Sequence, residues 1–149
     1  MSDFTNAAKS ELDLAEERRS ERKAKAKAAH DVQRALDLQA LDEVEIEHGD
    51  GNVCHVCIPH TPGLPTLVAA RTPTAAEIKR YQSRVRGRGD QQAPDVAGAT
   101  AEIGQSCMVY PADEQVRAEV LRTMPAVLVN LGMAALALAS GRAADEGKG

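Results

Sequence analysis

The sequence predicts an α+β fold: a small three-stranded antiparallel sheet covered by C-terminal helices, with a long charged N-terminal helix ahead of it. Three observations carry this expectation. Residues 1–41 contain helix formers with no Gly or Pro. Residues 43–71 switch to two-residue alternation punctuated by turn residues, and from Thr74 onward helix caps and helical apolar spacing return. The 149-residue length suits one modest domain with extensions. We divide it into a charged helical arm (1–41), an α+β domain (42–141) and a tail expected to be disordered (142–149).

From Asn6 to Leu41 the chain is rich in Ala, Glu, Lys and Arg, which are strong helix formers, and Glu21 and Lys25 form a favourable i,i+4 pair. Between Glu16 and Lys27 no apolar residue exceeds Ala in size. A helix without an apolar stripe stays solvated or is ordered by a partner. The arm is therefore expected to project, docking only through the strip Val32, Ala35, Leu36 and Leu38.

Val44-Glu45-Ile46-Glu47 alternates and reads as a first strand. His48-Gly49-Asp50-Gly51-Asn52 supplies turn chemistry, and Val53 to Ile58 resumes an extended pattern. After the turn at Pro62 to Pro65, Thr66 to Ala70 reads as the third strand of an antiparallel meander. Such a sheet is marginal until its apolar face is covered.

Thr74-Ala75-Ala76-Glu77 is a capping box preceded by Pro73, and it opens a helix to about Val85 with Ile78, Tyr81 and Val85 on one face. A polar loop is expected from Arg86 to Gln92. A helix from Pro94 to about Cys107 follows, then an extended break at Val109-Tyr110-Pro111. Asp113 caps the next helix, which carries Val116, Val120, Leu121 and Met124. Pro125 begins a final helix ending near Gly141. Val127, Leu128, Leu131, Ala134, Ala135 and Leu138 of that helix are the strongest core candidates.

Hydrophobic residues make up 43% of the chain, but Phe4, Tyr81 and Tyr110 are its only aromatics and Trp is absent. A core built without large rings is small. The net charge of −4 argues against a dedicated nucleic-acid binder. Arg18, Arg19, Arg22, Lys23, Lys25 and Lys27 form a basic segment, but Glu11, Asp13, Glu16, Glu17 and Glu21 balance it and no aromatic side chain stands ready to stack on bases. Cys54, Cys57 and Cys107 are too few for a secreted disulfide framework. The segment MSDFTNAAKSELD has no basic-then-apolar signal pattern, and the apolar run from Pro125 to Ala139 falls short of a membrane span. The reading is a reducing cytoplasm.

Cys54-His55-Val56-Cys57, with His48 and His60 nearby, has the residue types of a zinc site. On a strand, however, Cys54 and Cys57 point to opposite faces, and no second CxxC completes the set. His55 likewise faces away from Cys54, which leaves that thiol without a base. Glu43, Glu45, Glu47 and Asp50 read as a solvated strand face. No phosphate loop or catalytic signature accompanies them, so we expect neither an enzyme nor a cofactor or metal site.

The order of features is similar to that of a known group. A β-meander leads into Ala70-Arg71-Thr72-Pro73-Thr74-Ala75-Ala76-Glu77-Ile78-Lys79-Arg80-Tyr81, and Ser106-Cys107-Met108-Val109-Tyr110-Pro111 precedes two more helices. In its "R-x-P-T-x-x-E" helix start, its "C-x-V-Y-P" stretch and its Pro-initiated apolar helix, the chain from Glu43 to Gly141 resembles small tail assembly chaperones of tailed bacteriophages. The resemblance implies a partner, the long helical tape measure protein, kept soluble in the bacterial host cytoplasm while the tail forms. It brings no catalytic residues with it.

Met residues and small apolar side chains suit adaptable binding of apolar helices. The candidate partner-binding residues are accordingly Met124, Val127, Leu128, Leu131, Met133 and Leu138, with a homo-oligomer also possible. The alternatives are a structural component of the virion or tail, locked to neighbours by the arm, and a nucleic-acid-associated regulator acting through Arg18 to Lys27.

Overall fold

The computed structural model describes residues 2–87 and 93–148, with side chains described from 10 to 87 and from 93 to 141. The fold is α+β, with five helices and a three-stranded antiparallel sheet among the described residues. Helix α1 (Ser2–His48) is 47 residues long, about 70 Å at 1.5 Å per residue. Strands β1 (Val53–Cys57) and β2 (Leu67–Arg71) form a hairpin, followed by α2 (Ala75–Arg86) and α3 (Val96–Cys107). Strand β3 (Met108–Tyr110), α4 (Glu114–Thr123) and α5 (Val127–Lys148) complete the chain. The expected polar loop falls outside the described residues at 88–92.

The sheet has β2 at its centre, in the order β1-β2-β3. Two expectations about its strands are corrected. Val44 to Glu47 is the last part of α1, not a strand, so Glu43, Glu45 and Glu47 lie on a helix. The local alternation loses to helical spacing, because Asp37, Leu41 and Val44 recur at i+4 and i+3 on the side turned to the sheet. The third strand is Met108–Tyr110, read from sequence only as an extended break; it pairs with Ala69 and Ala70 across a register shift.

The residues His48 to Asn52 end the helix instead of joining two strands. Gly49, at φ 95°, donates its N–H to Glu45 O at 2.8 Å, and the Asn52 amide donates to His48 O at 2.7 Å. Both bonds satisfy carbonyls that a helix end leaves without partners.

Each face of the sheet is buried against helices. Val68, Ala70 and Met108 join Cys54 and Val56 on one face, packed with Ile103, Cys107, Val120, Val127, Leu131 and Ala135 from α3, α4 and α5. Leu67 and Ala69 join Val53, Val109 and Tyr110 on the other, against Leu41 of α1. The strip expected to dock the arm is corrected too: Val32, Ala35, Leu36 and Leu38 are exposed, and the docked side of α1 carries Gln33, Asp37 and Leu41.

Helices α3 and α5 cross with almost no space between their backbones. A Cβ on Gly104 would lie 2.2 Å from Leu128 O, and one on Gly132 would lie 2.0 Å from Thr100 O. Glycine here lets the helices approach closely enough to bring Ile103 and Leu131 into one core. The chain bends by 108° between α4 and α5, and α5 continues past the expected end at Gly141 to Lys148, so residues 142–148 have helical backbone. No single helix among the described residues is long and apolar enough to cross a membrane.

Candidate functional site

Contacts at residues 71–77 fix the position of α2, whose later turns line a groove. Thr74 caps α2 by accepting from the Glu77 N–H at 3.2 Å, while Glu77 accepts from the Thr74 N–H at 2.9 Å. Glu77 also receives both terminal nitrogens of Arg71 from β2, at 2.8 and 3.3 Å, a two-pronged ion pair. The same guanidinium donates to Ser106 O at 3.1 Å, and Cys107 Sγ lies 3.8 Å from Glu77. The two sequence stretches that carry the resemblance therefore meet at one joint between β2, α2 and the end of α3.

The electrostatics of this joint follow from its contacts. Hydrogen bonding from Arg71 holds the Glu77 carboxyl down at about 2, against the opposing effect of burial. Burial pushes the Cys107 thiol up to about 11, and the adjacent Glu77 charge adds to the rise. A thiol so held is a poor nucleophile at neutral pH. Further along α2, Arg84 bonds Glu102 and, at 3.0 Å, Asp95, tying α2 to α3.

With α2 fixed in this way, Ile78, Tyr81 and Gln82 stand across an open groove from Leu136, Ala139 and Ser140 of α5. Met133, one helical turn before Leu136, is 60% exposed at the edge of this helix face. The six residues read from sequence as partner-binding divide between two roles. Val127 and Leu131 are buried in the core, and Met124 and Leu128 are half-buried against it. Leu138 is half-buried, and Met133 alone of the six is exposed. Met124, Val127, Leu128 and Leu131 thus belong to the core and its margin, and none of them lines the groove.

The cysteine-histidine stretch is divided by the strand. Cys54 packs into the core and donates weakly to Ala70 O, whereas His55 and Cys57 are exposed. Burial raises the Cys54 thiol above its ordinary range. Among the described residues, no three His, Cys, Asp or Glu side chains are grouped to hold a metal ion.

Asp37 gave no sign of its importance in the sequence. It is 0% exposed and accepts from the Thr66 N–H at 2.6 Å, the Thr66 hydroxyl at 2.5 Å, Gln33 at 2.9 Å and the Tyr110 hydroxyl. Burial alone would raise its carboxyl, but the bonds from Thr66, Tyr110 and Gln33 together hold it below the ordinary value. Burial and the neighbouring Asp37 both push the Tyr110 phenol up, so it remains a donor. One carboxylate thus fastens α1 to β3 and to the entry of β2. On the same side of α1, two turns before Asp37, the His30 ring meets that of His60 edge to face with centroids 5.1 Å apart.

Compared with protein-family models, curated proteins and solved structures, the chain matches none.

Proposed function

We propose that this chain is a protein-binding assembly factor that works as phage tail assembly chaperones do, holding a tape measure protein soluble in the host cytoplasm while the tail forms. The observation that carries the reading is the groove between α2 and α5, apolar along Ile78, Tyr81, Leu136 and Ala139. A groove of this kind accepts the apolar face of an amphipathic helix. Exposed Met133 adds a side chain that adapts to varied helix surfaces. The motif resemblance supplies the class of partner. The chemistry required is reversible binding, with no covalent step.

Coexpression with the tape measure protein of the same genome tests this. The wild-type chain is expected to raise the soluble fraction of that protein several-fold. Met133→Asp combined with Ser140→Asp places charge at the groove's edge and on its lining, at exposed positions, and should abolish the gain without altering the chain's own unfolding temperature. An unchanged gain in the double variant would remove the groove from the mechanism.

The exposed arm favours a second reading, a structural tail component held to its neighbours by α1, since every described side chain from 10 to 29 is exposed. Retention of the chain in purified, mature tails would support that reading. Steep loss of binding to nucleic acid as salt rises would instead point to a regulator acting through Arg18 to Lys27.

A further inference from the structure

We infer that α1 is a self-association element, pairing antiparallel with α1 of a second copy through the face it turns away from its own sheet. This inference is independent of the groove and of the function proposed for it. Three features of the helix carry it.

The first is an apolar stripe left uncovered by folding. Val32 is 64% exposed, Leu36 55% and Ile46 75%. At 100° per residue these side chains fall on one side of the helix with Ala24, Ala28 and Ala35, while Asp37, Leu41 and Val44 face the opposite side. The fold's own use of α1 therefore leaves the stripe accessible, and a second domain bound to a second α1 would sit on the far side of the pair.

The second is charge complementarity along the same helix. Arg22 and Lys25 lie before the stripe, and Glu43, Glu47 and Asp50 lie at or beyond its end. An antiparallel pair with its two-fold axis at the outer face near Leu36 sets Lys25 against Glu47 of the second copy, with Arg22 one turn away and within reach of the same carboxylate. Symmetry repeats these contacts at the other end. A parallel pair would instead align like charges, which disfavours that orientation.

The third is shape. In the antiparallel register Ile46 of one copy enters the space between Ala24 and Ala28 of the other, where small side chains admit a large one. Leu36 meets its counterpart at the axis, and Val32 lies beside it, opposite Ala40 of the second copy. The association is modest in area, and its energy comes from the exposed apolar side chains, with the charges setting orientation.

Sedimentation equilibrium of the full chain tests the inference. The wild type should reach twice the 15.8 kDa chain mass as concentration rises. Arg22→Glu with Lys25→Glu makes both ends acidic, and Glu43→Lys with Glu47→Lys makes both ends basic. Each double variant alone should weaken dimerisation by about tenfold or more. An equimolar mixture of the two restores complementary charge at both ends and should regain the dimer as a heterodimer. All four positions are exposed, and circular dichroism of each variant checks that helicity is kept. A wild type that stays monomeric throughout, double variants that dimerise unchanged, or a mixture that fails to pair would each overturn the inference. So would elution of the wild type with bound nucleic acid in place of a second copy.

Discussion

The two faces of the sheet are closed by different kinds of chemistry. Toward α3 and α5, closure is by apolar packing: Val68 and Leu131 are buried completely, and the backbones of α3 and α5 nearly touch at Gly104 and Gly132. Toward α1, the apolar contribution narrows to Leu41 over Leu67 and Ala69, and a buried carboxylate makes the directional contacts. Packing is distributed over many small contacts and fails gradually under substitution, whereas a hydrogen-bonded latch depends on one group and one charge state. The first face should therefore govern stability of the whole domain, and the second should govern whether the arm stays fixed to it.

The largest expected effect lies at the helix crossing. Gly132→Val places methyl groups against the Thr100 carbonyl, a backbone atom that cannot move aside without separating the helices. We expect a loss of about 3 kcal/mol, the upper range for overpacking, seen as one cooperative shift in urea unfolding. A loss confined to α1, with the rest of the domain unaffected, would reverse the assignment of roles to the two faces.

Asp37→Ala should have the next largest effect. It leaves the Thr66 N–H and the Thr66 and Tyr110 hydroxyls without their acceptor, at a cost of about 2 kcal/mol. Hydrogen exchange should then rise along residues 30–48 and much less in α3 and α5. Equal acceleration in both regions would mean that the sheet does not separate them.

Acid should produce a smaller and graded effect. Glu77 is held at about 2 against an ordinary 4.5, so its ion pair contributes stability that is fully present above pH 4.5 and is lost as pH falls toward 2. Asp37, also held below its ordinary 3.8, contributes with the same sign in the more acidic part of that range. Glu77→Gln should lower stability at neutral pH and flatten the dependence between pH 4.5 and 2, as read from denaturant midpoints. An unaltered slope in the variant would place the acid sensitivity elsewhere.

Much of the fold was legible because it depends on local chemistry. The Thr74 to Glu77 capping box and the Asp113 cap are made by side chains bonding backbone two or three residues away, so residue type and spacing suffice to read them. The same holds for the β1–β2 hairpin and for the apolar side of α5. The candidate site was legible only in part. The apolar character of the last helix was plain, but which of its side chains face a partner depends on where α2 stands, and α2 is placed by an ion pair with β2.

By itself, the sequence determined the α+β class, the capped starts of α2 and α4, the long charged arm and the lack of an apolar face along the arm's middle, whereas α3 and α5 begin two residues after the expected Pro94 and Pro125, at Val96 and Val127. Those properties reside in composition and short-range periodicity. Tertiary structure decided that Val44 to Glu47 is helix, that Met108–Tyr110 is the third strand and that Asp37 rather than Val32 or Leu36 secures the arm. The physical reason is the distance in sequence between the groups that meet. Asp37 is separated from Thr66 by 29 residues and from Tyr110 by 73, and only the folded chain supplies the donors that make a buried charge stable there.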